Sequence, residues 1–206
     1  MEKHLNLPIS ADEIKALKVG DTVLLSGVLI TGRDAAHKWI HETFISKTRP
    51  ATPEDLATLD QLKPILNGGL IYHCGPVISG LETKQYRFVA AGPTTSIREE
   101  PYQADVMKFF NLRGVIGKGG MGPKTLKACH ETQAVYFHAI GGAAALIAEC
   151  VTEVVAVHKL DFGVPEAIWL IKVKNLPVIV TMDAHETSLH SSVREQSKAI
   201  LDKLIA

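Results

Sequence analysis

Apolar positions along this chain follow two periods. Runs of three to nine mostly apolar residues, bounded by Gly, Pro or Asp, read as strands at 22–30, 70–74, 77–79, 86–91, 114–116, 134–140, 152–157, 167–173 and 177–182. Between them lie segments with helical spacing and recognisable starts. Ser10 with Glu13 and Ser96 with Glu99 are spaced as capping boxes, and Thr52-Pro53-Glu54-Asp55 combines an N-cap, a proline in the first turn and two acids. Further helices are expected over 35–45, from Pro123, over 143–150 and over 191–204. Run 22–30 is apolar on both faces in places, which predicts a central strand. Strands alternating with helices predict an α/β fold with a largely buried mixed sheet, and at 206 residues without a linker or repeat the chain is expected to form a single domain, 1–206.

Composition narrows the function classes. Lys and Arg together number 22 and so do Asp and Glu, so no charge excess favours nucleic acid or a membrane surface. The apolar runs fall short of the ~18 residues of a transmembrane helix, and the first ten residues lack the apolar core of a signal peptide. A cytoplasmic location is the expectation. Cys74, Cys129 and Cys150 are far apart and form no CxxC pair, as expected of free thiols in a reducing compartment. Neither they nor the scattered histidines have ligand spacing, so no metal site is expected from this chain alone.

Candidate chemistry concentrates in GPTTSIREEPYQADVMKFFNLRGVIGKGGMG, residues 92–122. Thr94, Thr95 and Arg98 lie on one strand-to-helix turn; Lys118 and Gly119 lie on the next, where four glycines in six residues let the backbone approach a ligand. Together they would make a small anion pocket, to which Arg33, beside Gly32 at the end of run 22–30, is a second candidate contributor. GKGGMG also fits G-x-G-x-x-G. Against a dinucleotide reading stand Lys118 in the turn, Pro123 directly after it, and His138-Ala139-Ile140 where an acid belongs. A nucleotide-binding module remains a remote alternative.

GPTTSIR, then GKGG, AIGGAAALIA and FGVPEAIWLIKVKNLPVIVTMD, with TGRDAAHK nearer the N-terminus, resemble the β subunit of class I iron–sulfur hydro-lyases over nearly the whole chain. These are two-subunit fumarases and L-tartrate dehydratases; the same unit is the C-terminal domain of single-chain class I fumarases. The resemblance implies a swivelling β/β/α domain. It implies a 4Fe-4S cluster held by the partner α subunit, a heterotetramer of two αβ pairs, and a small dicarboxylate substrate. Fumarate hydration to L-malate is the first expectation, tartrate dehydration to oxaloacetate the second. Carried over by position, Thr94 is the base, Lys118 belongs to the catalytic loop, and Arg33 and Arg98 bind substrate, with Thr95 and Gly119 beside them. The chemistry suits these residue types. Removing a proton next to a carboxylate puts charge on that carboxylate, which guanidinium forks, an ammonium and loop amides stabilise. The departing hydroxide needs a Lewis acid, which would come from the partner. A threonine hydroxyl can act as base only where nearby cations stabilise its alkoxide.

Overall fold

The computed structural model describes residues 2–205. Its strands are β1 (Lys3–Asn6), β2 (Thr22–Thr31), β3 (Leu70–Tyr72), β4 (Val77–Ser79), β5 (Arg87–Ala90), β6 (Gly114–Gly117), β7 (Val135–His138), β8 (Val151–His158) and β9 (Ile168–Met182). The helices are α1 (Ala11–Lys15), α2 (Asp34–Ile40), α3 (Pro53–Leu66), α4 (Glu100–Phe110), α5 (Pro123–Thr132), α6 (Ala144–Glu149) and α7 (Leu189–Ile205). Seven strands form one mixed sheet in the order β1-β2-β3-β6-β7-β9-β8, while β4 and β5 pair separately. Strands β1, β2, β3, β6 and β7 run parallel; β9 is antiparallel to β2, β7 and β8. Because β9 pairs with β2 as well as β7, strands β2, β3, β6, β7 and β9 close into a five-stranded barrel.

Strand alternation sorts the core into two bodies. Leu70, Tyr72, Ile116, Val135, Phe137, Trp169 and Ile171 share one cluster. Their neighbours Ile71, Val115, Tyr136, Ile168 and Leu170 share the other, together with Trp39, Leu62, Val106 and Cys129 from helices α2 to α5. Helices α2 to α5 pack on the second cluster, which is the barrel's outer face; the first is its interior, extended by Ile14 of α1, Ile147 of α6 and Phe88 of β5.

The mixed α/β architecture agrees with the sequence pattern, and four local expectations are corrected. Runs 167–173 and 177–182 are one strand of 15 residues, β9, whose first half pairs with β8 and whose second half pairs with β7. Asn175, at positive φ in mid-strand, absorbs the change of partner without breaking the strand. Strand β1 was not predicted; it is four residues on the barrel's margin with one buried side chain, Leu5, too short for a period to show. The helix expected over 35–45 is α2 followed by a π-turn at His41–Ile45. The fourth correction, at Ser96, lies in the site. The box at Ser10–Glu13 forms as read, and the Thr52 N-cap expected before Pro53 closes into a box with Asp55.

Candidate active site

Two crossing turns carry the central residues. Thr94 donates its amide to the His73 carbonyl at 2.7 Å, and its own carbonyl accepts from Lys118 N–H at 3.2 Å. Ser96 N–H then donates to the Lys118 carbonyl at 3.0 Å, so 94–96 and Lys118 form a short parallel ladder centred on the Thr95–Lys118 bridge. The structure therefore brings Thr94, Thr95 and Lys118 together, although 24 residues separate Thr94 from Lys118. Thr94 and Lys118 are half-buried; Thr95 and Gly119 are exposed. Among the described residues Lys118 has no ion-pair partner. Gly119 and Gly120 both have positive φ, the conformation that the consecutive glycines permit.

Arg33 reaches the same region from the end of β2. Its guanidinium crosses Gly75, where an added Cβ would sit 2.3 Å from Nη1, and Gly75 follows Cys74, which bridges Pro93 of the GPTT turn. Arg33 Nε lies 3.2 Å from Glu166 Oε1, an ion pair by distance but out of line for a hydrogen bond, so its charge is balanced while its buried N–H lacks an acceptor. Arg98 is exposed and ion-paired to Asp34, on the Arg33 turn. Sequence neighbours do not pair here: Asp34 takes Arg98 and not Arg33, and Glu166 takes Arg33. Asp34, Arg98, Tyr102 and Glu166 border an open groove of about 590 Å³.

The Ser96–Glu99 capping box does not form. Residues Ser96–Glu99 are a turn of 3-10 helix with no side-chain cap, and both side chains point inward. Ser96 Oγ lies 2.8 Å from His73 Nδ1 and accepts from the Tyr136 hydroxyl at 2.8 Å. Each competing partner is fully buried and would be orphaned if Ser96 capped its own helix. Gly117 makes room for this arrangement, since a Cβ there would stand 1.8 Å from Ser96 Oγ. Glu99 is buried with neither carboxyl oxygen receiving a hydrogen bond. Burial and then the Asp34 carboxylate raise its pKa to about 8. At neutral pH it is mostly protonated, near an Asp34 carboxylate whose charge Arg98 balances.

Sequence reading missed Glu100 as well. Its carboxylate in α4 accepts from Gly122 N–H (2.8 Å), Lys124 N–H (3.0 Å), Thr125 N–H (3.3 Å) and Thr125 Oγ (2.7 Å), capping α5 from outside. The amides that a phosphate would need in the G-x-G-x-x-G reading are thereby occupied. His138, at the end of β7, is partly buried and its buried Nδ1 has no partner.

Comparison with known proteins bears directly on this arrangement. The profile of the family described as Fumarase C-terminus matches residues 1–193. This chain belongs to the fumarase C-terminus family. It is 47% identical over 201 residues to a Geobacillus stearothermophilus protein named "Putative fumarate hydratase class I", a match covering 97% of this chain and 35% of that one. It is 36% identical over 190 residues to the L(+)-tartrate dehydratase subunit beta of Escherichia coli K12, covering 92% of this chain and 87% of the relative. The chain therefore spans about a third of the first relative and most of the second. Arg33, Thr94, Arg98 and Lys118 lie within the matched span.

Proposed function

We propose that this fumarase C-terminus chain is the β subunit of a class I 4Fe-4S hydro-lyase that interconverts fumarate and L-malate. The carrying observation is the backbone ladder that joins Thr94 and Thr95 to Lys118, a lysine without a carboxylate partner among the described residues, with Arg98 on the same turn as Thr94 and Arg33 on the turn that the Asp34–Arg98 pair ties to it. The higher identity to the fumarate hydratase, 47% against 36%, supports fumarate over tartrate; L-tartrate dehydration is the second reading. The name of the tartrate dehydratase subunit supports an α partner; the reading has two such αβ pairs in a heterotetramer. The barrel would be a swivelling β/β/α domain, moving as a unit against that partner, in the cytoplasm. Among the described residues no helix is long and apolar enough to cross a membrane.

In this reading Arg33 and Arg98 hold the substrate carboxylates, and Thr94, its backbone fixed on both sides, presents its hydroxyl to the carbon-bound proton. Lys118 stabilises the resulting charge. The cluster, when bound to the assembled enzyme, supplies the Lewis acid for hydroxide departure. This chain does not fit the role of ligand: among the described residues no group of three or more His, Cys, Asp or Glu side chains is arranged to hold a metal. Cys74 and Cys129 are buried, and burial pushes both thiols up to about 12. The test is anaerobic malate-to-fumarate turnover by this chain alone and then with a cluster-bearing α subunit. Activity is expected only in the mixture, lost in Thr94→Ala and strongly reduced in Lys118→Ala. Turnover by this chain alone, without iron, would refute the reading, and turnover of L-tartrate but not malate would change the substrate.

A further inference from the structure

Behind the two turns lies a buried polar chain that the catalytic reading does not use. His37 Nδ1 is 2.9 Å from the Arg33 carbonyl, and His37 N–H donates to the same carbonyl at 3.0 Å. His37 Nε2 is 3.1 Å, and His73 Nε2 2.8 Å, from one end of the Gln103 amide. His73 continues through Nδ1 to Ser96 Oγ and Tyr136, and its carbonyl accepts from Thr94 N–H. His37, His73, Ser96 and Gln103 are fully buried, and the two rings meet edge to face at 5.2 Å. One side chain, Gln103, thus joins the residue that holds the Arg33 turn to the residue that holds Thr94.

The proton inventory decides which way that amide faces. A carbonyl only accepts, so His37 Nδ1 must carry the hydrogen. Burial keeps the ring neutral, which leaves Nε2 a bare acceptor. The Asp34 carboxylate is the charge that favours protonation of His37, and burial outweighs it. Glu99, whose carboxyl faces Asp34, is mostly protonated at neutral pH, and Arg98 is paired with Asp34. A bare Nε2 cannot face the Gln103 oxygen at 3.1 Å without repulsion. Exchanging the amide oxygen and nitrogen keeps the side chain's shape and turns both contacts into good ones: the NH2 group has two hydrogens for two Nε2 acceptors. His73 then carries its hydrogen on Nδ1 and donates to Ser96. The far end of the amide is buried and makes no hydrogen bond, so the two rings alone decide which way it faces.

We propose that Gln103 is a positioning residue of the site, donating one amide hydrogen to His37 Nε2 and one to His73 Nε2 and so holding the Arg33 turn and the Thr94–Ser96 turn at a fixed separation. Its effect on turnover rests on the hydro-lyase reading above; its effect on the two rings does not. Long-range 1H–15N spectra of the imidazoles in the full chain, from pH 6 to 8, test the second directly. Both rings are expected as neutral Nδ1–H tautomers that do not titrate. A proton on Nε2 of either ring, or a charged ring, overturns the proposal. Gln103→Glu presents acceptors only and should move a proton to Nε2 on at least one ring; unchanged tautomers would overturn it too. In the assembled enzyme Gln103→Met, of similar size but without donors, should lower kcat/KM on the order of 10- to 100-fold, with KM rising and kcat falling together because Arg33 and Thr94 shift together. Wild-type kcat/KM in a folded Gln103→Met enzyme overturns the positioning role. If the wild-type assembly turns over no diacid, the hydro-lyase reading fails, and the spectra still decide the role of Gln103.

Discussion

Replacing Gly117 by alanine tests the join between the Lys118 loop and the buried chain behind it. The new Cβ would meet Ser96 Oγ at 1.8 Å, Tyr136 Oη at 3.0 Å and His73 Nδ1 at 3.2 Å. The first contact is about 1.6 Å short of an ordinary one, and Ser96 cannot rotate away without leaving two buried partners unpaired. Overpacking of this kind costs about 1–3 kcal/mol, and so deep an overlap belongs at the upper end. At 2–4 °C per kcal/mol for a domain of this size, Gly117→Ala should lower Tm by roughly 6–12 °C. Ser96→Ala alone leaves the Tyr136 hydroxyl and a His73 nitrogen short of a partner, for about 1–3 kcal/mol. In the double variant the worst overlap is gone and the next contacts, at 3.0 and 3.2 Å, are tight but tolerable. The double should therefore be no less stable than Gly117→Ala, a favourable coupling of about 1–3 kcal/mol. Thermal and urea unfolding of the four proteins, followed by circular dichroism, measures the cycle. Strictly additive losses, or a Tm for Gly117→Ala within about a degree of wild type, would refute the packing argument.

Other perturbations follow from the charges. Glu99 binds its proton more tightly folded than unfolded, so its contribution to stability is complete below its ordinary pKa and is lost as pH rises toward about 8. Glu99→Gln should therefore gain on the wild type progressively from pH 5 to pH 8, and a pH-independent difference in Tm would count against a buried neutral carboxyl. His73, held neutral to about pH 3 by burial and then by His37, acts in the opposite sense: it removes stability as pH falls below its ordinary value, and a His73→Gln variant should lose that acid dependence. Asp55 is fully buried against Lys159 at 2.7 Å, Trp39 Nε1 at 2.9 Å and the Thr52 cap. Burial alone would raise its pKa, yet Lys159, Thr52 and Trp39 together hold it well below the usual carboxylate range. Asp55→Asn leaves the buried Lys159 ammonium with only the exposed Glu54 carboxylate at 3.9 Å, an expected loss of about 3–5 kcal/mol by urea unfolding; under about 1 kcal/mol would mean the pair is solvated. Arg98→Lys should lower kcat/KM of the assembled enzyme on the order of tenfold or more through loss of the planar fork, with stability almost unchanged because the Asp34 pair is exposed.

Much of the scaffold was legible because its causes are local. Leu70-Ile71-Tyr72 and Val135-Tyr136-Phe137 alternate between the two cores as a period of two requires, and the Ser10 and Thr52 boxes form because their partners lie three residues away. The motif residues Thr94, Thr95 and Lys118 were also placed together correctly: the Thr94 turn leaves β5, outside the main sheet, but His73 at the end of β3 holds it beside the Lys118 turn at the end of β6, the parallel neighbour of β3.

Where local and distant partners compete, only the tertiary structure decides. Ser96 has a box partner three residues on, yet it turns inward because His73 and Tyr136, 23 and 40 residues away, are buried and need it. Arg33 and Asp34 are adjacent in sequence, but the turn points them apart, toward Glu166 and Arg98. β9 reads as two strands because Lys174 and Asn175 interrupt its apolar run; it is one because β8, β2 and β7 take successive parts of its edges and close the barrel. Gln103 has no sequence signal at all: a lone amide in an amphipathic helix becomes the link between two turns only when the fold brings two histidines to its end. Periodicity and caps are written in neighbours a few residues apart, so the chain alone determined its elements and their buried faces. The pairing of buried polar groups is settled by desolvation, which acts on whatever the completed fold brings together.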